Sequence, residues 1–521
     1  MCPSCRQQRR LAFRNERYLH KSNCGLCKKE IVSVFPPSAP FPVYCNDCWW
    51  SDKWDALDYG RDFDFSKPFF PQFRELMMKV PKVALLQLNN ENSEFNAYLG
   101  LSKNTYMSPG SYCLEDCYFV RKSQYSKDCL NSTFIDHCEL VYHSLNSKNC
   151  YGSHDLLNCR NCSDSAYLSD CTGCKNCFMS GGLANKEYHI KNKVYSPEEY
   201  KRLVDEQLTR APEELMNEFL GFNTTIPKKY QNLINCENSS GDYLQNCKNA
   251  HDCYDCFEIQ DSKYVTESVE VKDSMDLTMH DKNIELCYEL SAGGESNYRL
   301  KFSFCSCASP NSEYLYSCFY LSDSFGCDGF HQKTENCFFN KKYTKEEYEK
   351  LKVKIIAHMK ETGEYGEFFP IEMSIYPYNR TVAQDYFPLT AEEAAKRGYG
   401  WQKDDATQYK PATAVLPSDI GAVKDEILKD TLACQAPQGG GKKCGKNYRI
   451  IKQELDLSRR MKAPLSKLCA DCRQMELLAL KNPRKLWDRA CDKCKEPIQT
   501  TYAPSRPEKV YCEKCYLNEV Y

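Results

Sequence analysis

The chain has 521 residues, 42% hydrophobic and 13% aromatic, enough apolar surface to fill several cores, so disorder is not the expectation. No apolar run approaches the roughly 18 residues of a membrane-spanning helix, and Met1-Cys2-Pro3-Ser4-Cys5 with the Arg-rich stretch after it lacks the apolar segment of a signal peptide; a cytoplasmic protein with reduced thiols is expected. Net charge is −2, yet residues 1–50 hold eight Lys/Arg against three Asp/Glu (+5) and residues 434–521 nineteen against ten (+9), leaving −16 on the middle, so the basic ends are expected to meet an anionic partner or the body itself.

The 34 cysteines would read as disulfides in a short secreted chain. Here many fall in Cys-x-x-Cys pairs, whose two intervening residues let both sulfurs converge on one ion. Residues 1–50 lie over residues 468–517 at a constant offset of 467 without a gap. Cys2, Cys5, Cys24, Cys27, Cys45 and Cys48 fall on Cys469, Cys472, Cys491, Cys494, Cys512 and Cys515, with fourteen further identities, among them Arg6/Arg473, Asn15/Asn482, Arg17/Arg484 and Tyr44/Tyr511. This is an internal duplication. In each copy two Cys-x-x-Cys pairs are separated by the step from Cys27 to Cys45, or from Cys494 to Cys512, which is the spacing of a four-cysteine zinc ribbon. Cys24, Cys27, Cys45 and Cys48 are the expected ligands of the N-terminal ribbon (1–50).

Residues 51–90 form a junction dense in aromatics, from Trp49, Trp50 and Trp54 to Phe70, expected to pack one domain on another rather than to stack bases. From 91 to 180 the cysteines keep time. Cys117, Cys138 and Cys159 are 21 apart, as are Cys129, Cys150 and Cys171, with β-prone pieces between Ser, Asn, Asp and Gly. A period near twenty predicts a first β-solenoid block; the inward cysteines of the solenoid blocks are expected to serve as buried thiols, with Cys159/Cys162, Cys171/Cys174/Cys177 and, further along, Cys253/Cys256 as candidates for extra metal. Residues 181–229 are expected to supply capping helices, with Ser196 as an N-cap. A second block spans 230–340, with Cys287, Cys307 and Cys327 spaced 20 apart. Residues 341–433 then give a helix capped by Thr344, an irregular aromatic wrap, and a short helix from Ala391 to Arg397, capped by Thr390 and ended at Gly398. The fold class is therefore mainly β: two solenoid blocks, each capped by a helix, flanked by small zinc-ribbon domains.

The C-terminal module (434–521) is double. Cys491, Cys494, Cys512 and Cys515 make its ribbon; Cys434 and Cys444 with Cys469 and Cys472 make a second four-sulfur site, whose first knuckle is expanded and contains the triglycine 439–441. About three zinc ions per chain follow. Cys2 and Cys5 keep only half of that second site. Arg14, Arg17, Arg484, Lys485 and Arg489 lie between the knuckles, where they would suit phosphate or pair with the acidic body. The nine histidines form no His-Glu-x-x-His or His-x-x-x-His pair, and His137, His143, His154 and His280 are expected to be surface or packing residues. No catalytic or organic cofactor-binding residue is nominated.

The phrases Arg484-Lys-Leu-Trp-Asp-Arg489 and Val510-Tyr-Cys-Glu-Lys-Cys-Tyr516, Asp58-Tyr-Gly-Arg-Asp-Phe-Asp-Phe65, the Glu-Glu-Tyr helix starts and Tyr386-Phe-Pro-Leu389 carry a resemblance to an uncharacterised cysteine-rich family with terminal zinc ribbons and a central repeat region, met in metagenomic candidate-phylum bacteria. The resemblance spans nearly the whole chain and implies architecture, not activity; the expanded Cys434–Cys444 knuckle departs from it. The function expected from the residues is a non-enzymatic zinc-binding scaffold that forms a homo-oligomer or holds partners, with no membrane role. Nucleic-acid or ribosome association through the basic ends is the alternative, and an enzyme built on a solenoid groove the second.

Overall fold

The structure, a computed structural model, describes residues 1–280, 282–403, 410–438 and 442–520; the triglycine 439–441 lies outside them. The chain is mostly sheet, with several parallel sheets. Among the described residues no helix is long and apolar enough to cross a membrane. The chain divides into two compact units: residues 1–86 with 231–402 and 483–486, and residues 87–230 with 403–482 and 487–521. Each unit therefore contains one repeat block and a ribbon copy from the far end of the chain, except that residues 483–486 of the C-terminal copy belong to the first unit.

The second unit holds the first block. Its strands from Tyr118–Arg121 to Glu187–Ile190 pair in parallel, each with the next in sequence. The register advances by a dozen: Tyr118 faces Leu130, His154 faces Ala166, Ala166 faces Phe178 and Cys177 faces His189. The expected period near twenty is thus not the register. Twenty-one is one step of 12 plus three steps of three, so it links cysteines of different interior columns. The step of three is visible in the backbone. Cys113, Asp116, Phe119, Lys122, Tyr125, Asp128 and Asn131 all have φ between +48° and +58°, and the pattern continues beyond them. Left-handed residues usually are Gly, Asn or Asp; a Phe, Lys or Tyr there shows the ladder overriding local preference.

Interior positions follow the same step of three and are mostly Ser, Cys, Leu and Val. Their polar side chains carry hydrogen bonds. Ser108 Oγ donates to the carbonyls of Tyr106 (3.1 Å) and Cys117 (3.3 Å) and accepts from the Val120 N–H at 3.0 Å. Cys117 Sγ donates in the same way to Glu115 and Ser126. Serine and cysteine are interchangeable there because each supplies a small donor and an acceptor for a buried N–H that has no carbonyl facing it. Burial holds the Cys159 thiol well above its ordinary range, in keeping with a neutral donor.

The first unit holds the second block, with the same step of 12 between Tyr254 and Thr266 and between Thr266 and Thr278, shortened to 11 at Leu233–Leu244 and lengthened to 13 at Met275–Tyr288. Both blocks end in an antiparallel turn: Glu187–Ile190 against Lys193–Val194, and Cys337–Phe338 against Lys341–Lys342. A helix follows each. Ser196 accepts from the Glu199 N–H to cap Pro197–Gln207, and Thr344 with Glu347 forms a capping box on Lys345–Glu361. Thr390 caps Ala391–Lys396 likewise. The aromatic junction packs as expected: Trp54 lies 4.6 Å from the His331 ring, Phe69 5.5 Å from Phe325 and Phe73 6.1 Å from Phe339 between ring centroids.

Two histidines are less ordinary than expected. His280 is buried, and burial lowers it to about 3. His143 lies 2.6 Å from Asp155 and 3.5 Å from Glu476. Burial would lower it, but the bonds to these carboxylates outweigh burial and push it up to about 10. The imidazolium then contributes stability that is complete below its unfolded value of about 6.5 and is lost as pH rises toward 10. His143→Gln is expected to lower the thermal midpoint at pH 6.5 by several degrees and to flatten its decline between pH 7 and 10, read from melting curves across that range. Ser126→Val, which leaves the Cys138 N–H (3.1 Å from Ser126 Oγ) without an acceptor, should cost about 1–3 kcal/mol in denaturant titrations, whereas Ser126→Cys should cost much less.

Candidate metal centres

Each ribbon is built from a hairpin and a short helix. In the N-terminal copy His20–Asn23 pairs antiparallel with Glu30–Ser33, and in the C-terminal copy Trp487–Ala490 pairs with Pro497–Thr500. Every residue of the second hairpin is the counterpart of one in the first at the offset of 467. The first knuckle, Cys24/Cys27 or Cys491/Cys494, is the tip of this hairpin rather than a segment before it. Lys28 and Lys495 close the two tips with φ of 65° and 68°. The second knuckle begins a helix, Asn46–Trp49 or Glu513–Val520.

The sulfurs converge. Cys24, Cys27, Cys45 and Cys48 form one group, Cys491, Cys494, Cys512 and Cys515 a second, and Cys434, Cys444, Cys469 and Cys472 a third, with the four ligand atoms of each within 4.8 Å of one another. None of the 34 cysteines is in a disulfide. A tetrahedral ion with metal–sulfur bonds of about 2.3 Å sets its sulfurs about 3.8 Å apart. Cys27 and Cys45 are 3.8 Å apart, Cys494 and Cys512 3.7 Å. That separation is too long for a disulfide, whose sulfurs lie about 2 Å apart, and it matches the edge of a tetrahedron.

The backbone prepares these sulfurs for negative charge. The Cys45 N–H donates to Cys24 Sγ at 3.2 Å, the Cys512 N–H to Cys491 Sγ at 3.3 Å and the Cys469 N–H to Cys434 Sγ at 3.2 Å. Burial raises the Cys24 thiol, but the N–H groups of Cys45, Cys27 and Leu26 outweigh it and bring it down to about 6. Cys491 behaves in the same way: burial raises it, and the N–H groups of Cys494, Cys512 and Lys493 bring it down to about 6. In the third group the thiols of Cys469 and Cys472 donate to Cys434 and lower it to about 2. Each group thus concentrates charge on one sulfur, the state in which a thiol ligates. The three quartets could hold metal ions. Cys2 and Cys5 are exposed and join no group of three or more ligating side chains among the described residues. The cysteines of the repeat blocks are likewise in no such group, Cys159/Cys162, Cys171/Cys174/Cys177 and Cys253/Cys256 included.

The cationic residues meet carboxylates of this chain, Arg14 and Arg489 within their own ribbon copies and Arg17 and Arg484 on the middle of the chain. Arg14 pairs with Glu16 at 2.6 Å and Arg17 with Asp385, both pairs buried. Arg484 reaches Asp255 at 3.0 Å and Glu267, and its guanidinium lies 4.0 Å from the Tyr386 ring centroid. Arg489 bonds Asp492 at 3.3 Å and the Glu508 carbonyl. Of the five, only Lys485 is exposed.

The ribbon copies dock alike, through contacts the sequence does not announce. In the first unit the helix Pro3–Leu11 sets Arg6 2.8 Å from Asp276, Arg9 3.0 Å from Glu289 and Gln7 3.1 Å from Thr266. In the second unit the helix Ala470–Ala479 sets Arg473 on Glu454 (2.6 Å) and Asn131 (3.1 Å), and Gln474 on Thr133 (3.3 Å). Val43–Tyr44 pairs in parallel with Lys82–Val83, and its counterpart Val510–Tyr511 with Lys228–Lys229. Lys82 and Lys228 each run to a carboxylate of the block, Asp328 and Asp170. The one signal for this was a lysine ahead of each block.

Arg484→Ala would leave Asp255 and Glu267 buried beside each other without their cation. A loss of about 3–5 kcal/mol is expected from equilibrium unfolding, with no change in metal content. Compared with family models and with curated proteins, the chain matches none, so what it does has to be argued from these centres.

Proposed function

We propose that the chain is a zinc-stapled structural protein: two β-solenoid blocks, each clamped by a zinc ribbon, that serve as a scaffold for self-association or for partners. The observation that carries this reading is the convergence of three sulfur quartets, two of them with sulfur pairs 3.7–3.8 Å apart. An all-sulfur tetrahedral set is the donor chemistry of structural zinc, which closes the site and leaves no open position for substrate. The repeat blocks support the rest. A parallel ladder that returns at every twelfth position, with a side chain pointing inward at every third, is what a narrow β-solenoid requires, and such rods serve as extended, rigid surfaces.

The charge pattern favours self-clamping over nucleic acid. Arg14, Arg17 and Arg484 are buried against carboxylates, and phosphate would have to displace those partners to bind them. Zinc supplies the fixed cation that holds four thiolates together in arms too small for a core of their own.

Elemental analysis of the purified chain should give at least three zinc ions per molecule. Cys512→Ser should remove one of them and expose the hairpin Trp487–Thr500 to protease, while leaving the other two in place. A chain without zinc at all three quartets overturns the reading.

A further inference from the structure

We propose that Cys2 and Cys5 are one half of a fourth metal site, completed by the same two residues of a second copy of the chain, so that one zinc ion bridges two molecules. The inference rests on the reading of the quartets as zinc sites and adds a partner to it.

The argument starts from the duplication. Cys2 and Cys5 are the counterparts of Cys469 and Cys472 at the offset of 467. Both pairs occupy the same position on the same element. Cys2 is the N-cap of the helix Pro3–Leu11, with φ −73° and ψ 160°, and Cys469 is the N-cap of the helix Ala470–Ala479, with φ −67° and ψ 162°. Equal cap geometry presents both sulfurs to the same side of the helix start. In the C-terminal copy that side faces Cys434 and Cys444, and the quartet is closed. In the N-terminal copy both sulfurs are exposed and no other ligating side chain joins them among the described residues. The pair therefore has the local geometry of a working half-site and an open face.

Two further features favour a second copy as the occupant of that face. A two-fold axis through the ion makes four sulfurs out of two identical pairs, so one surface completes itself without a complementary partner, and two-fold pairing is the commonest form of self-association. In the first turn of the helix the backbone N–H groups of Cys5 and Ser4 also point at the Cys2 sulfur, which favours the negative charge that a zinc ligand carries. Binding would displace the thiol protons to solvent, with no change of oxidation state.

The test uses the full chain, reduced and loaded with zinc, analysed by native mass spectrometry and sedimentation. The expected species is a dimer with seven zinc ions, three in each chain's own quartets and one shared (2 × 3 + 1). Cys2→Ser with Cys5→Ser should give a monomer with three; since both positions are exposed, its circular dichroism should match the parent. A monomer with three zinc ions, in which Cys2 and Cys5 react with iodoacetamide at the same rate with and without zinc, overturns the proposal. So does a dimer that survives in the double variant, or a monomer with four ions. Loss of zinc from the quartets themselves would instead overturn the underlying reading of the protein as zinc-stapled.

Discussion

A chain that pairs with itself in parallel at every twelfth position leaves very little interior between one pass and the next, and that narrowness constrains everything else in the repeat blocks. Inward side chains must be small, and they arrive every third residue because the backbone takes a left-handed turn every third residue. Those turns aim peptide N–H groups inward, where no strand lies opposite to accept them. The interior of an ordinary domain can be apolar throughout; this one has to carry hydrogen-bonding side chains. Ser108, Ser126 and their equivalents accept from the pass that follows. The abundance of cysteine in the blocks is explained by the same requirement, since a thiol is a donor that also packs as an apolar group. The cysteines of this chain therefore do two unrelated jobs. At the ends, Cys24 and Cys491 are drawn toward the thiolate by backbone N–H groups; many inside the blocks are held as neutral thiols by burial and carbonyls.

The same narrowness explains why the ribbons matter. A thin ladder has little core of its own and two open ends, and open strand edges invite unwanted pairing. Each block is closed at one end by an antiparallel turn and a capped helix. Each is gripped laterally by a ribbon copy through an arginine of its first helix, Arg6 on Asp276 or Arg473 on Asn131, a two-residue parallel strand and a lysine reaching a block aspartate. The acidic body and basic ends are the sequence-level trace of that grip.

Much of the metal chemistry was legible in the sequence, because ligand spacing is local and the duplication repeats it without a gap. All three quartets assemble from the residues named for them. Helix starts at Ser196, Thr344 and Thr390 were legible for the same reason, a cap being a matter of four consecutive residues. The repeat length was not. Cysteine marks only some inward positions and serine fills others, so counting cysteines alone steps between columns and returns 12 and 9 in alternation. Grouping serine with cysteine as one class of small donor would have exposed the step of three. Nor could the sequence tell which block each ribbon grips, because Arg6 and Asp276 are separated by 270 positions and neither carries a local sign of the other. Arg17 and Arg484 belong to that same hidden class of long-range pairs, whereas Arg14 and Arg489 pair with carboxylates two and three residues away.

The steps of 11 and 13 at Leu233–Leu244 and Met275–Tyr288 have a broader consequence. The step is 13 again over the next turn, Tyr288–Lys301, and returns to 12 at Lys301–Glu313, so the ladder accommodates gained or lost residues and a block is not locked to one size. Copying or deleting one full step would lengthen or shorten the ladder by one rung, about 4.8 Å, without disturbing the hardware at either extremity. Evolution of such a molecule can tune reach as a ruler is cut, in fixed increments, while its fittings stay the same.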